Sequence, residues 1–92
     1  MKIKTIIAKQ ILRSGTSIGA NANEAIYGIS KADFIAKLQI AFKEANETGY
    51  WLDLLFKTNY INEKQYKALE MSCRGLRAML VASINTAKEN VK

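Results

Sequence analysis

Apolar residues recur at alternating steps of three and four along most of the chain, the spacing that places side chains on one side of an α-helix. The period-two alternation that is typical of strands does not occur in these stretches, and the sequence contains no proline. The pattern therefore predicts an all-α fold, an antiparallel helical bundle with three main helices at about residues 3–27, 31–57 and 62–89.

The middle helix has the clearest pattern, because its apolar seam repeats over about three heptads. Ile35, Phe42 and Trp51 widen this seam beyond a two-stranded contact, so we expect the helix to touch more than one neighbour. The seam consists of Phe34, Leu38, Ala41, Ala45, Thr48, Leu52 and Leu55.

A third helix begins after a short link. Asn62 is placed as its N-cap, where the side chain accepts a hydrogen bond from an otherwise unpaired amide. Because the link is short and both helices carry apolar seams, they should form an antiparallel hairpin. The predicted seam of the third helix consists of Tyr66, Leu69, Cys73, Leu76, Leu80, Ser83 and Ala87.

The first helix carries two apolar stripes side by side, although it contains weak helix formers. Gly15 and Gly19 each cost about 1 kcal/mol in helix propensity, and close approach of another helix would explain them. Gly28 and Ser30 are the predicted stop of this helix and the N-cap of the next. The first stripe is Ile7, Ile11, Ser14, Ile18, Asn21 and Ala25; the second stripe is Ala8, Leu12, Gly15, Gly19, Ala22 and Ile26.

Composition places the chain among ordinary globular proteins. Its 92 residues, 49% apolar and 24% charged, predict one folded domain over residues 1–92. It lacks the apolar run of about 18 residues that a membrane span needs and a signal-peptide core, so we expect a cytoplasmic protein without a membrane partner. One cysteine and no histidine predict neither a disulfide nor a structural metal, and we expect no cofactor.

Few residues are candidates for catalysis. Glu44 and Glu47 could form a carboxylate pair, but di-iron bundles also need histidine, so solvated or ion-paired carboxylates are the preferred interpretation. Cys73 could be a nucleophile, yet its place on the seam favours a small apolar side chain. The sequence therefore predicts a protein that is not an enzyme, with no catalytic residues.

Charge and aromatic residues leave binding roles open. The net charge of +6 points to an anionic partner such as RNA or DNA, although lysines spread along the chain also suit solvated helix faces. Polar residues between Arg13 and Glu24 could bind a ligand or bond within a helix contact, and Tyr50 with Trp51 could stack on bases or pack between helices. The candidate nucleic-acid contacts are Lys9, Arg13, Lys67, Arg74 and Arg77.

Three blocks of sequence resemble one bacterial family. Residues 10–21 read QILRSGTSIGAN, residues 31–38 read KADFIAKL, and KEA at 43–45 is followed by ET at 47–48 and YWL at 50–52. In this order they resemble the 23S ribosomal RNA intervening-sequence proteins, a family of four-helix bundles that includes accessory proteins of diversity-generating retroelements. The resemblance runs from Ala8 to about Ile61.

The resemblance implies a bundle that assembles as a homo-oligomer, commonly a pentamer, and docks a protein or nucleic-acid partner without chemistry of its own. Members usually carry another amphipathic helix ahead of the first block, where this sequence has only a few residues, and often an arginine where Gly49 stands. An unpartnered second stripe agrees with a subunit contact. The candidate interface residues are Gly15, Ile18, Gly19, Ala22, Ile26 and Trp51.

Overall fold

A computed structural model of the chain describes residues 2–89. It contains three α-helices, α1 (Lys2–Ile26), α2 (Lys31–Lys57) and α3 (Glu63–Glu89), and no strand occurs within that range. The predicted all-α fold is confirmed, and each helix begins and ends within one residue of the predicted position.

Side chains at the helix ends fix where α2 and α3 begin. The Ser30 hydroxyl accepts a hydrogen bond from the Asp33 amide at 3.1 Å, and Asn62 Oδ1 accepts one from the Gln65 amide at 2.8 Å. A second hydrogen bond runs in the opposite direction, because Gln65 Oε1 accepts one from the Asn62 backbone amide at 2.9 Å. This reciprocal arrangement satisfies two amides that the helix itself leaves unpaired. Both predicted N-caps are confirmed.

The three helices form an open layer with α2 in the middle. Arg13 contacts Glu44 and Glu24 contacts Lys37, so α1 runs antiparallel to α2. α3 packs antiparallel on another side of α2, and no Cα of α1 lies within 8 Å of a Cα of α3. Its principal-axis extents are 50 × 21 × 13 Å, so the molecule is more than twice as long as it is wide.

The hydrophobic core lies where α2 meets its two neighbours. Ala41 and Ala45 are fully buried at its centre, where their small side chains let the flanking helices come close. The predicted seam of α2 is confirmed, because its members are buried or half-buried. The core cluster consists of Ile18, Ala25, Leu38, Ala41, Ala45, Leu80 and Ile84.

The predicted seam of α3 is partly wrong. Leu69 is 46% exposed and Ser83 is exposed, whereas Ile84, outside the predicted seam, is buried. Leu69 lies on the side of α3 that faces α1 across an opening, and Ser83 lies farther along α3, at an opening that it shares with Lys31 and Phe34 of α2. Because α1 does not reach α3, only the side that faces α2 is covered.

The two stripes of α1 have different surroundings. The first stripe packs on α2, with Ile7, Ser14, Ile18 and Ala25 buried, as predicted. The second stripe has no neighbour along most of its length: a Cβ added at Gly15 or Gly19 would meet no atom within 4 Å. The close helix approach that we predicted at these glycines is therefore not made within the described chain.

Candidate interaction surfaces

An apolar groove runs between α1 and α3 with α2 as its floor. Gly15 of α1 and Leu69 of α3 stand on its two walls, and Leu52 lies at its base. It is open to solvent with a volume of about 260 Å³, and no charged side chain lines it. We call this surface the groove; its lining residues are Ile11, Gly15, Ile18, Thr48, Leu52, Leu69, Ser72, Cys73 and Leu76.

The candidate interface residues fall in different places. Gly15 opens onto the groove, and Gly19 is exposed beside it. Ile18 lines the groove but is only 7% exposed, so most of its surface belongs to the core of its own chain, whereas Ile26 is 71% exposed at the end of α1. Trp51 is half-buried, and its ring meets Tyr50 edge-on at a centroid distance of 4.9 Å.

The polar residues of α1 bond within the contact between α1 and α2. Arg13 donates to the carboxylates of Glu44 and Glu47, and the Ser17 hydroxyl donates to Glu44 at 3.2 Å. The Ser14 and Thr48 hydroxyls share a hydrogen bond of 2.7 Å. These contacts set the register of α1 on α2. They also agree with our preferred interpretation of Glu44 and Glu47 as ion-paired carboxylates.

A second polar contact joins α2 to α3. The Tyr66 hydroxyl donates to Asp53 Oδ1 at 2.5 Å, and the Tyr66 ring stacks on Phe56 with centroids 4.5 Å apart. The hydrogen bond to Asp53, followed by desolvation and the charge of Asp53, raises the pKa of Tyr66 above its ordinary value. Tyr66 therefore serves packing and hydrogen bonding between the helices.

Cys73 is buried at the contact between α2 and α3, where its thiol donates to the Ala45 carbonyl at 3.3 Å. Burial raises the pKa of the thiol, while the Arg77 guanidinium beside it acts in the opposite direction. A neutral buried thiol is a poor nucleophile, which agrees with the predicted role as a small apolar side chain. Arg77 also occupies the space beside Gly49, where an added Cβ would lie 2.9 Å from Nη1.

The five candidate nucleic-acid contacts do not form one patch. Lys9 and Arg13 lie on α1 and the other three on α3, on different sides of α2. Four of the five are ion-paired within the chain: Arg13 with Glu44 and Glu47, Lys67 with Glu63, and both Arg74 and Arg77 with Glu70. Lys9 has no carboxylate partner among residues 2–89.

A different group of lysines shares one end of the layer. Lys2 and Lys4 stand at the start of α1, Lys57 at the end of α2, and Lys64 in the first turn of α3. Lys4 Nζ lies 6.0 Å from the centre of the Tyr60 ring, which places the start of α1 beside the link between α2 and α3. None of these four is ion-paired within the described part of the chain. We call them the lysine-rich end; the sequence analysis missed them because they are far apart along the chain.

The described residues offer little for chemistry. No group of three or more His, Cys, Asp or Glu side chains could together hold a metal ion between residues 2 and 89. Two buried polar atoms, Glu44 Oε1 and Trp51 Nε1, have no hydrogen-bond partner. They lie on one helix seven residues apart, and nothing beside them forms a nucleophile with a base.

Fold and surfaces define a class: a small all-α helical-bundle protein with an open apolar groove. The model for the 23S rRNA-intervening sequence protein family matches residues 2–82, so this chain belongs to that family. The family predicted from the three sequence blocks is thereby confirmed. No helix within the described range is long and apolar enough to cross a membrane.

A solved structure of similar fold comes from Bacteroides thetaiotaomicron VPI-5482. It is the crystal structure, at 1.70 Å resolution, of a protein with unknown function from the S23 ribosomal protein family. The two chains are 52% identical with a TM-score of 0.85, and the match covers 87% of this chain and 71% of that one. Among curated proteins, none matches this sequence.

Proposed function

We propose that this protein is a non-enzymatic scaffold, a helical bundle that assembles with copies of itself and docks a protein or RNA partner. The open groove is the observation that supports self-association. Its lining residues come from all three helices and none is charged. Contiguous apolar surface of this kind is usually covered in soluble proteins, because exposing it to water is unfavourable.

The side chains that would be catalytic candidates support the non-enzymatic part. Arg13 pairs with one oxygen of Glu44 and one of Glu47, so both carboxylates are held in ion pairs within the contact between α1 and α2. Cys73 is buried with a raised pKa, and the sequence has no histidine. The hydroxyl pair of Ser14 and Thr48 serves the contact between α1 and α2.

Sedimentation equilibrium of the full chain at micromolar concentration tests self-association. We expect a mass that is a multiple of 10.3 kDa, and five copies is the number that the family resemblance implies. A mass of one chain would contradict the proposal, because a monomer leaves the groove open to water.

The second candidate function is sequence-indifferent binding of nucleic acid. The lysine-rich end favours it, since four cations that have no carboxylate partner between residues 2 and 89 gather where α1 and α3 both begin. The N-termini of α1 and α3 add partial positive charge there, which the C-terminus of α2 at the same end offsets in part. Phosphate groups would bind by releasing their condensed counterions, which makes affinity depend on salt and not on sequence.

Labelled single-stranded RNA and duplex DNA, titrated at about 50 and 200 mM salt, test this second function. We expect both to bind at the lower salt and to lose affinity steeply at the higher. If neither is retained at about 50 mM, where phosphate contacts are strong, the charge serves solubility only.

A further inference from the structure

The exposed surface of the chain is larger than a compact monomer requires. Its accessible surface is 6284 Å², whereas a compact protein of 10.3 kDa would expose about 5400 Å². The excess of roughly 900 Å² is close to the area of about 800 Å² that each partner buries in a stable interface. The chain therefore exposes enough surface for a contact with another copy.

α3 carries a second apolar seam, which the sequence analysis missed. Its members follow alternating steps of three and four, and all of them are exposed. Met71 is 70% exposed, and a Cβ added at Gly75 would meet no atom within 4 Å, so no helix of residues 2–89 covers this side. An apolar row at helical spacing that the chain leaves open is typical of a protein interface. We call it the outer seam; it consists of Ala68, Met71, Gly75, Ala78 and Ala82.

The outer seam matches the second stripe of α1 position by position. Both follow steps of three and four in the same order, so two parallel helices can hold them in register. With Gly19 opposite Gly75, each large side chain faces Ala or Gly, and the backbones can approach closely at the glycine pair. Neither row contains a charged residue, so no like charges oppose the contact. The facing pairs are Leu12 with Ala68, Gly15 with Met71, Gly19 with Gly75, Ala22 with Ala78 and Ile26 with Ala82.

The two rows are different surfaces of one chain, so a contact between them is head-to-tail. α1 and α3 both run antiparallel to α2 and are therefore parallel to each other. In a ring whose axis runs along the helices, α3 of one copy is then parallel to α1 of the next, as the register requires. A head-to-tail contact can close into a ring with an odd number of copies, whereas a single two-fold contact only pairs them. This contact is therefore compatible with five copies.

We propose that copies of the chain join head to tail, with the outer seam of α3 in one copy packed in parallel on the second stripe of α1 in the next. The inference rests on the proposed self-association, and it adds the two faces, their register and the type of contact. Gly15 belongs both to the second stripe and to the wall of the groove, so the same contact covers part of the groove.

A charge placed on each face of the full chain tests whether these faces meet. Leu12→Glu adds a negative charge to the second stripe, and Ala68→Lys adds a positive charge at the facing position of the outer seam. Both residues are exposed within one chain, so neither change disturbs the core. Ala20→Glu and Ala36→Lys are the matched controls, at exposed positions of α1 and α2 outside both rows. Circular dichroism checks that every variant keeps the parent's helix content.

Sedimentation equilibrium then measures the mass and the dissociation constant of self-association. We expect the parent to have the mass of five chains, and Leu12→Glu and Ala68→Lys each to raise the dissociation constant at least about tenfold, because a buried unpaired charge is costly. The chain that carries both changes should regain most of the lost affinity, since opposite charges then face each other at every head-to-tail contact. The two controls should match the parent.

The outcomes separate this inference from the proposed self-association. If Leu12→Glu and Ala68→Lys associate like their controls, or if the double variant associates no better than the weaker single variant, these two faces do not meet and the inference is wrong while the scaffold stands. A parent with the mass of two chains would contradict the head-to-tail contact and leave self-association intact. A monomeric parent overturns both.

Discussion

At the scale of single residues, the fold depends on polar groups that find partners inside a helix contact. Ser14 is a fully buried polar residue in a mostly apolar stripe. Its hydroxyl is satisfied by Thr48 at 2.7 Å and by the Ile11 carbonyl at 3.3 Å, so burial does not leave it unpaired. The small polar residues of this block indicate hydrogen bonds from the sequence alone. The sequence does not identify Thr48 as the partner, because the partner depends on how α2 is rotated against α1.

The Cys73 thiol should react slowly in the folded protein. Burial raises its pKa, and the thiolate is the reactive form. The folded state also holds the thiol proton more tightly than the unfolded chain does, so this contribution to stability is present at neutral pH and declines as pH rises through the folded-state pKa.

The slow reaction of Cys73 can be checked with a small aromatic disulfide. Its rate of reaction with the thiol is measured against pH in the folded and in the urea-unfolded protein. We expect a slower folded rate that is still rising above pH ~8.5, the ordinary cysteine pKa, where the unfolded rate levels off. Arg77→Gln should slow the folded reaction further, because Arg77 lowers the thiol pKa. Equal rates for folded and unfolded chains would show that the thiol is not protected.

At the scale of helices, sequence analysis was accurate wherever a helix has a neighbour on the predicted side. The seam of α2 was predicted in full because α2 contacts helices on two sides. Both contacts bury apolar side chains, so the apolar stripe in the sequence is wide. The errors at Leu69 and Ser83 have the opposite cause. These residues keep an apolar or small character at heptad spacing, but no helix of the described chain covers them.

Leu38 and Leu76 therefore should differ in their effect on stability. Leu38 is 6% exposed inside the core, so Leu38→Ala should cost about 2–5 kcal/mol through lost burial and a cavity. Leu76 packs against the core from the groove and is only half-buried, so Leu76→Ala should cost less in a monomer.

Urea unfolding of both variants at two protein concentrations measures the difference. Where copies cover the groove, the cost of Leu76→Ala should grow with concentration, because association stabilises the folded state by mass action. The cost of Leu38→Ala should stay the same. If Leu38→Ala unfolds at the same urea concentration as the parent, the assignment of Leu38 to the core is wrong.

At the scale of the whole molecule, the sequence predicted the three helices and the family but not the arrangement of surfaces. The second stripe of α1 predicted a contact with a further helix. In the structure this stripe lies beside the groove, and no helix of the described chain covers it there. Ion pairing could not be read from the sequence, since Arg13 meets Glu44 and Glu47 only through helix packing. Four of the five cations chosen from the sequence are ion-paired, whereas the antiparallel topology gathers at one end lysines that have no carboxylate partner between residues 2 and 89.

If the molecule binds nucleic acid, the lysine-rich end should determine how binding depends on salt. Lys57→Gln with Lys64→Gln removes two cations that are exposed and unpaired in the described structure. Each phosphate contact contributes about 0.9 to the slope of log affinity against log salt for duplex DNA, so losing two contacts should reduce the slope by about 1.8.

The control, Lys43→Gln with Lys88→Gln, removes the same charge from exposed positions elsewhere. It should lower affinity only slightly and leave the slope near that of the parent. Fluorescence anisotropy of a labelled duplex over several salt concentrations gives both slopes. Equal slopes for the two double variants would mean that phosphates do not contact this end, and the positive charge would then act only as a diffuse attraction.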